Sequence, residues 1–129
     1  FPNFYSNFFR LFCPHKITSM EPVQSGSCTV YFGETTGPAL SEYLSANHFS
    51  SVFVLTDSNT AIHCPPLFKE HFPEAADAIH LSIPPGELHK NLETCMGLWE
   101  QLSHHGADRK SLLINLGGEV VTDLGGFVA

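Results

Sequence analysis

Basic residues are scarce in this chain. Only six of its 129 residues are Lys or Arg, against thirteen Asp and Glu, and the formal net charge is −7. A surface that binds nucleic-acid phosphates needs clustered Lys and Arg, and Arg109 and Lys110 form the single adjacent pair. The composition therefore argues against a nucleic-acid partner.

Long apolar runs and several catalytic motifs are also absent from the sequence. No apolar stretch approaches the roughly 20 residues that span a bilayer, so we expect no membrane segment. The eight histidines show no His-x-x-x-His or His-Glu-x-x-His spacing, so no metal site is expected within these residues. There is no Gly-x-Ser-x-Gly motif and no signal for a nucleophilic cysteine, and the sequence therefore predicts no catalytic residue.

Residues 1–19 differ in kind from the rest of the chain. They hold five of the eleven Phe and no acidic residue, and their apolar positions follow neither a helical nor a strand period. They also lack the continuous apolar core of a signal peptide. We expect residues 1–19 to be a leader or a non-native extension and residues 20–129, from Met20, to be the domain. The expected location is the cytoplasm, and a plastid or mitochondrial transit peptide is the alternative.

Short β-rich runs recur along the domain and predict four strands, at 28–32, 51–56, 78–83 and 111–116. Helical patterns separate them, the first of which enters at Gly37-Pro38, where proline is tolerated. Pro65-Pro66 bars a long helix, so we expect only a short one over 66–72. Strands that alternate with helices predict a Rossmann-like α/β fold, with a parallel sheet, flanking helices and right-handed crossovers.

The strongest helical pattern covers residues 91–105. Asn91 can cap its start, and Gly106 can end it in the left-handed conformation. Its apolar positions recur on one helical face and predict the buried side, made up of Leu92, Cys95, Met96, Trp99 and Leu102.

Polar and glycine-rich loops follow three of the predicted strands, at the edge where open parallel sheets bind ligands. Asp57 and Asn59 follow the second strand and could accept hydrogen bonds from ribose hydroxyls. Glu87 and Lys90 follow the third, where Glu87 could bind a ribose and Lys90 could pair with a phosphate or hold Glu87. The fourth strand leads into a glycine turn and a helix start, with Gly117, Gly118, Glu119, Val120 and Asp123.

Each loop taken alone also fits a turn, a helix cap or close packing. Gly117-Gly118 is not the Gly-x-Gly-x-x-Gly fingerprint, which follows a first strand. The shared position of the three loops nevertheless favours a nucleotide site, because glycines let a pyrophosphate approach the backbone at a helix start.

Four ordered blocks of the sequence resemble the N-terminal domain of 3-dehydroquinate synthase. They are Thr56-Asp57-Ser58-Asn59, Pro85-Gly86-Glu87-Leu88-His89-Lys90-Asn91, Gly106-Ala107-Asp108-Arg109-Lys110 and the run from Leu116 to Ala129. The order and spacing of the blocks match from about Met20 to the end. The resemblance implies a domain cut short before the family's helical C-terminal domain.

The resemblance also implies a lyase of the shikimate pathway that depends on NAD and on a divalent metal, zinc or cobalt. Such enzymes convert 3-deoxy-D-arabino-heptulosonate 7-phosphate to 3-dehydroquinate, and NAD oxidises a ring hydroxyl transiently before phosphate is eliminated. By position, Asp57, Asn59, Glu87 and Lys90 fall at the adenosine end of NAD. The residues from Gly118 to Val120 fall at the pyrophosphate, and Asp123 contacts the cofactor. Family members are commonly homodimers, and their metal and sugar-phosphate ligands would lie beyond Ala129.

One residue departs from the family pattern, because Glu119 stands where the third glycine of a Gly-Gly-Gly-Val loop is expected. At an effective dielectric of ~20 and ~4 Å, repulsion between its carboxylate and a phosphate is on the order of 4 kcal/mol, less if the side chain is exposed. We therefore expect Glu119→Gly to tighten NAD binding at least about tenfold.

Three other interpretations stay open from the residues alone. Another sugar-phosphate cyclase would share these loops, and an iron-type alcohol or glycerol dehydrogenase would share the two-domain design. A non-catalytic nucleotide-binding remnant belongs to a different class, with Glu119 as the change that ended cofactor use.

Overall fold

The computed structural model describes residues 21–26 and 28–129 of the chain. The predictions made for residues 1–19 and for Met20 lie outside these ranges. Five strands and four α-helices follow one another in the described part, with short 3₁₀ turns between some of them. In chain order they are β1 (Val23–Ser25), β2 (Cys28–Val30), α1 (Thr36–Ala46), β3 (Val52–Asp57), α2 (Thr60–His71), β4 (Ile79–Ile83), α3 (Leu92–His104), β5 (Leu112–Asn115) and α4 (Glu119–Val128).

A three-stranded parallel sheet forms the centre of the fold, in the order β4-β3-β5. The central strand β3 buries Phe53, Val54 and Leu55 almost completely, as expected for a strand covered on both faces. Helices α1 and α2 pack on one face, around Val54, and α3 and α4 pack on the other, around Leu55. The predicted α/β fold with a parallel sheet and flanking helices is confirmed.

The connections create a crevice at one edge of the sheet. Helix α2 leaves β3 toward one face, whereas α4 leaves β5, the neighbouring strand, toward the opposite face. The chain therefore diverges between the carboxyl ends of β3 and β5, which is where open α/β sheets bind their ligands. Three of the predicted strands and their following loops are confirmed by this arrangement.

The first predicted strand is placed differently from our expectation. Cys28–Val30 pairs antiparallel with Val23–Ser25 in a hairpin and does not join the parallel sheet. No residue of either short strand is buried. A parallel strand is usually covered on both faces, so residues that remain accessible fit a hairpin better.

The prediction that two prolines would shorten the second helix is wrong. Helix α2 runs over twelve residues with Pro65 and Pro66 inside it. Each proline removes one helical N–H, which leaves two carbonyl oxygens without their usual partner. Phe68, only 3% exposed, anchors the later turn of the helix in the core, and Ile62 in the first turns is exposed to water. Core packing thus outweighs the local preference.

The ends of α3 are confirmed, but its buried face is only partly so. The Asn91 side chain accepts a hydrogen bond from the backbone N–H of Thr94, and Gly106 has φ of +72°. Cys95 and Leu98 are the buried residues of this helix. Three of the predicted core positions remain exposed, namely Leu92 at 65%, Met96 at 58% and Trp99 at 40%. The buried side of α3 is rotated relative to the predicted apolar face because the helix packs on both β4 and α4.

No helix in the described ranges combines the length and apolar character needed to cross a bilayer.

Candidate functional site at the carboxyl edge of the sheet

The loop after β3 is ordered by the side chain of Asp57. Its Oδ1 atom accepts hydrogen bonds from the backbone N–H groups of Asn59, at 2.9 Å, and of Thr60, at 2.8 Å. The Thr60 hydroxyl lies 3.2 Å from the same oxygen. Asp57 therefore caps the start of α2, which agrees with the turn or cap that this loop also fits. All of these hydrogen bonds use Oδ1, one of the two carboxylate oxygens.

The loop after β4 brings Lys90 to the first turns of α4. The Lys90 Nζ atom lies 2.7 Å from Asp123 Oδ2 and 3.1 Å from Glu87 Oε1. A third carboxylate, that of Glu119, is 3.9 Å away. Asp123 and Glu87 bind the ammonium group directly and raise the pKa of Lys90 above its ordinary value, chiefly through the hydrogen bond that Lys90 donates to Asp123. Lys90 is therefore charged at neutral pH and links α3's entry loop to α4.

The glycine turn after β5 contains two glycines with different roles. A Cβ on Gly117 would meet the side chain of Val121 at 2.7 Å, so glycine is needed there for the turn to pack on its own helix. A Cβ on Gly118 would have nothing within 4 Å. The space above Gly118 is therefore open, as the close approach of a ligand to the backbone requires.

Helix α4 starts without a side-chain cap, unlike the other helices that begin at this edge. Asp57 binds the N–H groups at the start of α2, and Asn91 caps α3. Gly118 is the N-cap residue of α4 and has no side chain to offer. The first N–H groups of α4, at Glu119 and Val120, are not part of its internal ladder, and their positive end favours an anion.

Asn115 also lies at this edge, although it was not among the site residues predicted from the sequence. It is the last residue of β5, and its buried Oδ1 atom has no hydrogen-bond partner in the described part of the chain. A Cβ on Gly125, in the second half of α4, would lie 1.8 Å from this oxygen. The amide and the glycine therefore set how closely α4 approaches the sheet. A polar residue inside an otherwise apolar strand run was the available signal.

The structure brings four of the predicted site residues into one cluster, Glu87, Lys90, Glu119 and Asp123. Asp57 and Asn59 lie on the neighbouring loop, which is tied to β4 by a hydrogen bond from Ser58 N–H to the carbonyl of Ile83. Gly117 and Gly118 form the turn beside the cluster, and Val120 packs partly against the core beneath α4. All nine predicted residues therefore lie at the same edge of the sheet.

The Glu119 side chain is more exposed to water than we assumed when estimating its repulsion with a phosphate. Its side chain is 76% accessible, and its carboxylate is the most distant of the three around Lys90. At such exposure the effective dielectric approaches that of water, where the interaction of two charges ~4 Å apart is about 1 kcal/mol. The structure thus lowers the expected magnitude and leaves the direction unchanged.

The described residues contain no group of three or more His, Cys, Asp or Glu side chains that could hold a metal ion. A divalent metal therefore does not fit this part of the chain, and we derive no chemical step through one.

Comparison with known proteins agrees with this arrangement. The family model described as 3-dehydroquinate synthase N-terminal matches residues 80–129. A 3-dehydroquinate synthase of Parabacteroides distasonis is 40% identical over 88 residues, which cover 68% of this chain and 25% of that protein. One from Thermococcus kodakarensis is 55% identical over 53 residues, covering 41% of this chain and 16% of the relative.

A third relative extends the similarity further along the chain. The 3-dehydroquinate synthase of Oceanobacillus iheyensis is 32% identical over 103 residues, or 80% of this chain and 28% of that protein. This chain thus spans only about a quarter of the length of the Parabacteroides and Oceanobacillus relatives. Since the family match contains both the Lys90 loop and the glycine turn, the chain belongs to the 3-dehydroquinate synthase family and corresponds to the N-terminal part of its members.

Proposed function

We propose that this chain is the NAD-binding part of a 3-dehydroquinate synthase, an enzyme that converts 3-deoxy-D-arabino-heptulosonate 7-phosphate to 3-dehydroquinate with loss of phosphate. The observation that carries the proposal is the uncapped start of α4 beside the open face of Gly118. The relatives' names supply the reaction class.

The geometry supports a role for each loop in holding the dinucleotide. The N–H groups at the start of α4 would bind the pyrophosphate, and Gly118 would let it approach. Asp57 uses Oδ1 to cap α2, and its other oxygen is the one that would accept a bond from a ribose hydroxyl. Glu87 is held by Lys90 and would bind the other hydroxyl groups at the adenosine end.

When bound, NAD supplies reversible oxidation of a substrate hydroxyl. In this proposal the described residues position the cofactor, and we assign no catalytic residue among them. The sugar-phosphate substrate and the divalent metal, zinc or cobalt, are proposed for the parent enzyme. We expect the 129-residue chain alone to form no 3-dehydroquinate, and product formation by the purified chain would contradict this division of roles.

Gly118→Ala tests the proposed cofactor site. The new methyl group would enter open space in the free protein, so the thermal midpoint should change little. The same methyl group would lie between the backbone and a bound pyrophosphate, and we expect NAD binding measured by titration calorimetry to weaken about tenfold, or about 1.4 kcal/mol.

Gly97→Ala in α3 is the matched control, because its Cβ would also meet nothing within 4 Å. It should leave NAD affinity unchanged. Unaltered NAD binding by Gly118→Ala, with measurable binding by the unmodified chain, would show that the cofactor does not use the glycine turn. A chain that binds no NAD at any concentration tested would contradict the proposed function itself.

A further inference from the structure

Three carboxylates surround one ammonium group at the edge of the sheet. Lys90 pairs closely with Asp123 and Glu87, and Glu119 adds a third negative charge at 3.9 Å. The cluster therefore has a net charge of −2 beside a helix start that otherwise favours anions. A phosphate that approaches Gly118 is therefore attracted by the start of α4 and repelled by the negative cluster.

Glu119 places its charge at the position with the greatest effect on such a ligand. It is the first residue of α4, at the uncapped start of the helix, and its carboxylate lies 3.9 Å from Lys90 Nζ. A negative side chain at a helix start stabilises the free helix. The Glu119 carboxylate therefore supplies the helix start and Lys90 with a negative charge that a ligand phosphate would otherwise supply.

We propose that Glu119 is a specificity-determining residue that competes with the phosphate groups of the ligand and selects against ligands with more negative charge at the glycine turn. This inference rests on the proposed function, because it assumes that a dinucleotide binds there. Adenosine, which carries no phosphate, is not affected by this competition.

The size of the effect follows from the exposure of the side chain. A buried carboxylate beside a pyrophosphate would reduce binding by orders of magnitude, but Glu119 is largely in water. Exposed charge pairs interact weakly and are screened by salt. We therefore expect about a tenfold effect at low salt, acting on the two phosphates of the ligand together.

Glu119→Gln removes the charge and keeps the length of the side chain. We expect this variant to bind NAD about tenfold more tightly than the unmodified chain at about 0.01 M salt, as measured by titration calorimetry. At about 1 M salt the Debye length falls to about 3 Å, and the gain should shrink below about twofold. Binding of ADP, whose terminal phosphate carries additional negative charge, should show a larger gain than NAD, whereas adenosine should bind the two proteins equally.

Glu42→Gln is the matched control for the loss of one negative charge. Glu42 is exposed on α1, which packs on the opposite face of the sheet from α4. The control should leave NAD affinity at its original value. Glu119→Gly serves as a second variant, because it removes the side-chain bulk as well as the charge.

The outcomes separate this inference from the proposed function. Equal NAD affinity of Glu119→Gln and the unmodified chain, with both binding, would overturn the competition and leave the proposed site intact. The competition would also be overturned if Glu119→Gly bound NAD more tightly and Glu119→Gln did not, because the bulk of the side chain and not its charge would then be the obstacle. Absence of NAD binding in all three proteins would overturn the proposed function and this inference together.

Discussion

Helix α4 approaches the sheet very closely at Gly125, and Gly125→Ala should disturb this contact. The added Cβ would lie 1.8 Å from Asn115 Oδ1 and 2.4 Å from Asn115 Cγ. Real Cβ atoms do not come so close to other heavy atoms, so either the amide or the helix must move. The amide is buried at the end of β5, and the helix carries the glycine turn at its start.

The expected cost combines two opposing contributions. Overpacking a well-packed interior typically costs about 1–3 kcal/mol. Replacement of a glycine by alanine inside a helix returns about 0.5–1 kcal/mol. We expect a net loss of about 1–2 kcal/mol in the free energy of unfolding, together with weaker NAD binding because the start of α4 is displaced.

A double-mutant cycle with Asn115→Ala isolates the contact. This second change removes the obstructing amide and also the buried oxygen that has no partner, so alone it should change stability by less than about 1 kcal/mol. In that background Gly125→Ala should become stabilising, which gives a coupling energy of about 2 kcal/mol. Gly97→Ala in α3, whose Cβ would meet nothing, should be stabilising in both backgrounds.

Urea unfolding followed by fluorescence provides the assay, because Trp99 is the single tryptophan and contacts the end of α4. Far-UV circular dichroism gives an independent measure of the same transition. If Gly125→Ala costs the same with and without Asn115, the close approach to the amide does not determine the position of α4.

Three further predictions concern the contacts that support this edge. Trp99→Phe removes the hydrogen bond from the indole N–H to the carbonyl of Val128, 3.0 Å long, and should lower the free energy of unfolding by about 1 kcal/mol in urea titrations followed by circular dichroism. Asp57→Ala removes the cap of α2 and should cost about 1 kcal/mol by the same method; an unchanged midpoint would show that the cap is dispensable. The Ser50 hydroxyl is the main cause that lowers the pKa of Asp108, so this carboxylate stabilises the fold above its unfolded pKa of about 3.9, and the contribution is lost as the pH falls through the lower folded value. Asp108→Asn should therefore lower the thermal midpoint more at pH 7 than near pH 2, and an equal loss at both pH values would rule out the charge as the cause.

The elements that the sequence predicted well depend on local patterns. Strands β3 and β5 are mainly apolar runs, and β4 alternates apolar with polar residues. Asn91 and Gly106 carry the signals for the two ends of α3. These features involve neighbouring residues, whose geometry is restricted by sterics and by backbone hydrogen bonding. Their order along the chain also predicted that three loops would share one edge.

The elements that were predicted wrongly depend on packing. The prolines of α2 carry a local penalty that the sequence shows, but the burial of Phe68 that offsets it becomes visible only in the folded chain. The apolar stripe on α3 could be recognised, yet the stripe is wider than the buried face. Only the position of α4 decided that Cys95 and Leu98 face the core while Met96 does not.

Sequence patterns were sufficient to predict the α/β class, the edge at which the candidate site lies and the residue types that it contains. Only the folded chain shows that Lys90 faces three carboxylates, that α4 lacks the side-chain cap present at the starts of α2 and α3, and that Gly125 must leave room for Asn115. The physical reason is that the groups in contact are far apart along the chain and close only in space. Charges and steric contacts act over a few ångströms in space, and the groups that meet here belong to loops and helices that only the parallel sheet brings together.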